Sequence, residues 1–439
     1  MGMGGVIDSQ GKGSKVERVT FGEAARYWVK LGFINFGGPA GQIAMMQTEC
    51  VDKRRWIDQG TFLHALNYCM LLPGPEAQQL AAYIGWRLHG IKGAVVAGTA
   101  FIVPGTVLVI FLSWLAAAHG ETTLIKAAFD GIKPVVIAIV LQALWRIGRR
   151  TCNTLPGVAM AAAAFVALYF FGVPFPIVIA GAGVIGMAAT RIPGIHFSAV
   201  GHGDGGPPPA HAAVADGGAI RRLAVIIAVF FGLWAVPVGA VISAFGAKPF
   251  ADVTELFTIA AFVTFGGAYA VLPYIADAGV NAYHWLTPAD MINGLALAET
   301  TPGPLIKVTT YVGYFAGWNA AGNLAPWFAG MVAALLTTYV TFLPSFLFII
   351  GGAPYIEKLQ TLAWAKSALA AITAAVVGVI LNLTVFFGRA VLFPAAGGVD
   401  WIAAAAAAVA FALLAWGRVT VPWLVAIGAA YGLVKALVF

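Results

Sequence analysis

The chain alternates long apolar blocks with short polar turns, and the apolar blocks set the reading. A bilayer-crossing helix needs about 20 apolar residues. The pattern predicts segments over 21–46, 60–87, 93–117, 124–147, 155–171 and 175–190, followed by a linker rich in Gly, Pro, Ala and His over 191–219. A single segment at 221–245 comes next, and then 255–278, 290–317, 326–351, 366–387, 400–416 and 420–437. The expected fold is therefore an all-α membrane protein with about 13 transmembrane segments.

Four of these segments carry helix-breaking residues where a membrane helix should be continuous. Pro-Gly-Pro stands at 73–75 within LLPGPEAQQLAAYIGW and at 302–304 within TTPGPLIKVTTYVGYFAGW. Proline removes a helix hydrogen bond and glycine loosens the backbone, so the helices must break there. FINFGGPAG at 33–41 and FVTFGGAYA at 262–270 supply two further breaks. Backbone freed in this way is tolerated at membrane depth only when buried in protein or lining a wet cavity.

The breaks repeat in register. Gly37 and Gly266, Trp56 and Trp285, and Pro73 and Pro302 each lie 229 residues apart, and after one insertion Pro104 and Pro344 lie 240 apart. A register kept this long marks an internal repeat. The expected domains are a cytoplasmic tail (1–20), a first repeat (21–190), a linker plus one connecting span (191–251) and a second repeat (252–439). Six segments, one connecting segment and six more give two inverted-topology repeats by parity, a symmetry lost if either broken segment fails to cross.

FGGP followed by PGPE, repeated as FGG followed by TPGP, resembles the chromate transporter family in its long, two-domain form over roughly residues 20–390. The resemblance implies export of the chromate oxyanion, with sulfate as its structural mimic, and halves of opposed orientation. The second copy departs from the first, with FGGA for FGGP and Leu305 where Glu76 stands.

Composition narrows the class. With 60% hydrophobic and 10% charged residues the chain is far from the roughly 25% charge of soluble proteins. The net charge of +7 reflects basic residues at span ends, and nucleic-acid binding is not expected. With the N-terminus cytoplasmic, 13 basic residues fall inside, among them Arg87, Lys92, Arg146, Arg149, Arg150 and Arg418, while Lys53, Arg54, Arg55, Lys248, Arg389 and Lys435 fall outside. That bias favours a cytoplasmic N-terminus and an extracytoplasmic C-terminus, and the expected location is the inner membrane. The Lys53-Arg54-Arg55 cluster disagrees, and either a re-entrant first segment or a substrate-facing basic vestibule would account for it.

A tetrahedral dianion in a membrane requires donors and positive potential. A half-helix offers both, since its first amides lack partners and its start carries about half a positive charge. The expected substrate-binding residues are Asn35, Phe36, Gly37, Gly38, Pro73, Gly74, Pro75, Gln78, Thr264, Gly266, Gly267, Pro302, Gly303, Pro304 and Lys307. Glu76 and Glu299 are proton-coupling candidates, with a helix-start carboxylate and a Lys307 partner as the plainer readings. Gln42 and Gln79 add donors near the breaks. Gln142 and Asn382 read as interhelical glue, Arg26 and Lys30 as interface anchors, and Gly37/Gly41 and Gly313/Gly317 as close-packing pairs.

No cofactor and no metal site is expected. Cys50, Cys69 and Cys152 have no metal-type spacing, and His196, His202, Asp204 and His211 read as solvated linker. No enzyme's nucleophile-and-base pattern or Walker sequence is present. The expected partners are a chromate or sulfate oxyanion and the lipid bilayer, with a homodimer left open. The expected function is secondary export of chromate, with sulfate as a second substrate, by alternating access driven by membrane potential or a proton gradient; an anion channel or another oxyanion transporter is the alternative.

Overall fold

A computed structural model describes residues 19–192, 196–197, 219–352, 362–393 and 397–438. The linker candidates His202, Asp204 and His211 lie outside the described residues. Among the described residues the regular structure is helical: α1 (Phe21–Ile34), α2 (Gly38–Gln47), α3 (Gln59–Cys69), α4 (Glu76–His119), α5 (Thr123–Thr151), α6 (Leu155–Tyr169), α7 (Phe175–Ala189), α8 (Ala219–Phe245), α9 (Phe250–Val263), α10 (Ala268–Asp277), α11 (Pro288–Thr300), α12 (Val308–Asn319), α13 (Pro326–Gly352), α14 (Ala363–Leu392), α15 (Trp401–Ala415) and α16 (Val421–Val438). Among the described residues five helices are long and apolar enough to cross a membrane, and α6, α7 and α15 are shorter apolar helices. The protein is an all-α, multi-span membrane protein.

Local chemistry sets the helix ends. Thr20 caps α1, Asp58 caps α3, and Thr287 with Asp290 forms a reciprocal capping box on α11. The FGG glycines end α1 and α9, and the PGP segments separate α3 from α4 and α11 from α12. Gly74 and Gly303 adopt φ of 118° and 102°, a left-handed backbone closed to most side chains.

The segments read from hydropathy as 21–46 and 60–87 do not traverse the bundle. Arg54, after α2, sits 3.3 Å from Glu23 in the first turn of α1, and Trp56 meets Tyr27 edge-on at 5.2 Å. The chain thus returns to where α1 began. α4 folds back as well, because His89 and Gly90 leave helical geometry and a Cβ on Gly85 would lie 2.3 Å from the Gly93 carbonyl. His89 then meets Phe21 edge-on at 5.4 Å, so α3 and the first arm of α4 (76–88) form a second hairpin opening on the same side.

The later pair behaves likewise. Asn319, at the end of α12, donates to the Trp285 carbonyl at 2.7 Å, just before α11 begins. The Tyr283 phenol is pushed up by burial and then by the charges of Asp252 and Glu255, which places the turn after α10 beside the start of α9. Hydropathy cannot distinguish two apolar half-helices from one spanning helix, so the expected count of 13 depends on whether each broken segment crosses.

The long helices hold the hairpins. α13 packs along α12, where a Cβ on Gly317 would lie 2.2 Å from the Ala329 carbonyl and one on Gly313 would meet Thr337, as the second small-residue pair implied. Gly37 and Gly41 differ, since their only near neighbours are in their own turn. They bring in no second helix.

Candidate functional site

The four breaks meet in two pairs. The Gly74 amide donates to the Thr264 carbonyl at 2.7 Å, tying the first PGP to the second FGG. The Gly303 amide donates to Asn35 Oδ1 at 2.6 Å, tying the second PGP to the first FGG. Asn35 and Thr264 are repeat mates, as are Gly74 and Gly303, so each copy's PGP is held by the other copy's FGG. Gln42 strengthens one side, giving Nε2 to both the Asn35 and Gly303 carbonyls at 2.8 Å.

Two long helices close around this junction at equivalent points. A Cβ on Gly105 of α4 would lie 2.0 Å from the Pro302 carbonyl, and Ser345 of α13 lies against Gly74 and within 3.5 Å of Gln79 Nε2. Gln79 also donates to the Pro73 carbonyl at 2.7 Å. Carbonyls freed by the breaks are therefore partly satisfied by side chains, as backbone at membrane depth requires.

The charged candidates separate into different roles. Lys307 is 1% exposed and gives its ammonium to the Thr301 and Gly303 carbonyls at 2.9 and 3.2 Å. It holds the second PGP turn. Glu299 accepts the Tyr269 hydroxyl, and it makes no ion pair with Lys307 among the described residues. Glu76 starts α4 against the second FGG, where a Cβ on Gly267 would sit 3.7 Å from its Oε1. Pro75 provides no side-chain cap for α4, and Pro304 none for the turn after it.

Gln78, the repeat mate of Lys307, is fully buried with neither amide atom paired. Phe36 and Gly37 are exposed and Gly38, Gly266 and Gly267 half-buried, whereas Pro73, Gly74, Pro75, Pro302, Gly303 and Pro304 are buried. Arg26 and Lys30 remain exposed on α1. Gln142 donates to the Leu414 carbonyl at 3.1 Å, an interhelical bond. Its mate Asn382 instead lines a cavity of about 640 Å³ among the α6–α7 turn, α10 and α14, which includes none of the motif residues. Lys53 and Arg54 are paired with Glu49 at 2.7 and 3.3 Å.

Tyr269, the hydrogen-bond partner of Glu299, was missed in the sequence. It could have been found in FGGAYA, the departure of the second copy from the first. Among the described residues no group of three His, Cys, Asp or Glu could hold a metal ion.

The model of the chromate transporter family matches residues 22–187 and 251–433, one stretch for each half. The chain belongs to the chromate transporter family. A chromate transport protein of Pseudomonas aeruginosa is 32% identical over 326 residues, covering 73% of this chain and 70% of its own. One from Cupriavidus metallidurans is 27% identical over 435 residues, covering 94% and 93%. The uncharacterized transporter YwrB of Bacillus subtilis is 30% identical over 122 residues, covering 28% of this chain and 62% of its own. No solved structure matches. Membership makes this protein a membrane transporter of that family and not an enzyme.

Proposed function

We propose that this transporter exports chromate, with sulfate as a competing mimic, from the cytoplasm across the inner membrane by alternating access. The observation that carries the reading is the reciprocal pair of bonds from Gly74 to Thr264 and from Gly303 to Asn35. These join the breaks in two crossed pairs, and beside one of them the uncapped start of α4 offers amide hydrogens to an anion. The proposed substrate contacts are the motif set: Asn35 to Gly38, Pro73 to Pro75 with Gln78, Thr264 with Gly266 and Gly267, and Pro302 to Pro304. Glu76 and Glu299 are the proton-coupling candidates.

The topology that fits is nine crossings with four re-entrant hairpins. The crossings are the second arm of α4, then α5 to α8 and α13 to α16. Pairings of helix ends support it: Phe245 meets both Phe250 and Phe328, and a Cβ on Gly351 would lie 3.3 Å from Ile226. Because both broken segments return in each repeat, parity survives and the repeats, 21–190 and 252–439, stay inverted. Lys53, Arg54 and Arg55 then join Arg87, Lys92, Arg149 and Arg150 on the inner side, leaving Lys126, Lys248, Arg389 and Lys435 outside. The basic cluster now obeys the positive-inside rule, with the N-terminus in and the C-terminus out.

Membrane potential favours export, since a dianion leaving an inside-negative cell gains roughly 7 kcal/mol at about 150 mV. Purified protein in liposomes is expected to show saturable chromate flux with counterflow, and flux that responds to an imposed potential. Flux indifferent to both voltage and a proton gradient would remove the driving force. Absence of counterflow would favour a channel.

A further inference from the structure

Resting on the oxyanion reading, we propose that Arg146 is the cationic contact of the transported anion, receiving it from the inner face and passing it to the start of α4 beside Glu76. Arg146 lies five residues before the end of α5, about 7 Å in from the last turn at 1.5 Å per residue. Its side chain is exposed, and among the described residues it makes no hydrogen bond or ion pair. Nearby Arg149, by contrast, lies over the Trp145 ring at 5.3 Å.

Arg146 stands within Coulombic range of Glu76, Glu299 and Tyr269, the three ionisable groups gathered at the breaks. α5 also packs against α11, which ends beside Glu299. Lys307 is unsuited to this role, because its ammonium is buried and committed to two carbonyls. A guanidinium offers five donors in a planar fork that matches two oxygens of an oxyanion, and here all five are unspent.

α2 leaves Ala40 and Ala44 exposed and Gly38, Pro39 and Gly41 half-buried, whereas its mate α10 buries nearly every residue. At Arg146 a bound anion competes with the Glu76 carboxylate, which lies in range of the same cation.

The test is equilibrium binding of radiolabelled chromate and sulfate to the purified full-length protein, with thermal midpoints measured in parallel. Arg146→Gln is expected to weaken binding about tenfold, the size of one lost charge-assisted contact, with an unchanged midpoint, and Arg146→Lys to fall between. Glu76→Gln is expected to tighten binding about threefold in the wild-type background and not in Arg146→Gln, a dependence that a purely structural arginine would not produce. If Arg146→Gln proves unstable, Glu76→Gln alone decides, and no tightening overturns the assignment. Wild-type binding with Arg146→Gln within twofold overturns the assignment alone. A wild-type protein that binds neither anion overturns the oxyanion reading and the assignment together.

Discussion

The hairpins of the two halves have the same local design and different surroundings. Those of the first half form a hydrophobic core of their own, built from Trp28, Phe62, Tyr68, Leu80 and their neighbours. Their mates in the second half, including Phe257, Leu272, Leu295 and Tyr311, belong to the main core shared with α5, α13 and α14. The difference shows that repetition of sequence conserved the hairpins but not their attachment. The first pair is the more separable body, and the second pair is part of the frame.

The sharpest way to break this comparison is at the helix that clamps each PGP. Gly105 has no room for a methyl group, since its Cβ would lie 2.0 Å from the Pro302 carbonyl. Gly105→Ala is expected to destabilise the protein by about 3 kcal/mol, the upper end for overpacking, and to abolish transport. At the mate position Ser345→Ala removes only a 3.5 Å contact with Gln79 and is expected to cost under about 1 kcal/mol. Thermal midpoints and liposome flux of the two variants test this, and equal effects would show that the two clamps are equivalent.

The reciprocal PGP bonds give the next largest contrast. One is accepted by the Asn35 side chain and the other by the Thr264 main chain. Asn35→Ala strands the buried Gly303 amide and removes the donor to the Phe101 carbonyl, at a cost of about 1–3 kcal/mol. Thr264→Ala keeps its bond, because the backbone makes it, and is expected to stay within about 1 kcal/mol. A thermal midpoint for Thr264→Ala as low as that of Asn35→Ala would refute the distinction.

Much of this was legible in the sequence. The offset of 229 residues paired Asn35 with Thr264 and Gly74 with Gly303 before any contact was known, and proline and glycine marked where the helices stop. The direction of the chain after each stop was not legible. An apolar half-helix that turns back has the same composition as one that continues, and contacts such as Glu23–Arg54, Tyr27–Trp56, Phe21–His89 and Trp285–Asn319 distinguish them. Lys307 was expected to contact substrate or to pair with Glu299, and sequence could not say whether its protons went to substrate or to carbonyls. They go to Thr301 and Gly303.

Accessibility sharpens the comparison without altering stability. Ala40 on α2 is exposed and its mate Tyr269 on α10 is 8% exposed. In a background with the three cysteines replaced, Ala40→Cys is expected to react with a membrane-impermeant thiol reagent at least tenfold faster than Tyr269→Cys, because a buried thiol must await local opening. Reaction of Arg55→Cys and Lys92→Cys from the same face of the membrane, opposite Lys248→Cys, would support the re-entrant first segment. Labelling of Arg55→Cys from the Lys248 face would return the chain to a first segment that crosses.

The smallest expected effect comes from the ion cluster at the mouth of the first hairpin. Lys53 donates to Glu49 and holds its carboxyl below the ordinary range, with Arg54 adding to the shift. A depressed carboxyl contributes stability above its unfolded value and loses it as pH falls through the lower folded one. Exposed pairs of this kind contribute about 0–1 kcal/mol, so Glu49→Gln should lower the thermal midpoint slightly at neutral pH and match wild type once the medium is acid enough to protonate Glu49. Arg54 keeps its place over the Tyr27 and Trp56 rings, at 5.4 and 5.1 Å, when Glu49 is neutral. The hairpin should therefore stay closed in Glu49→Gln, and labelling of Arg55→Cys should still come from the Lys92 face. A change of labelling face would mean that the ion pairs, and not the apolar packing of Tyr27, Trp28 and Trp56, turn the first segment back.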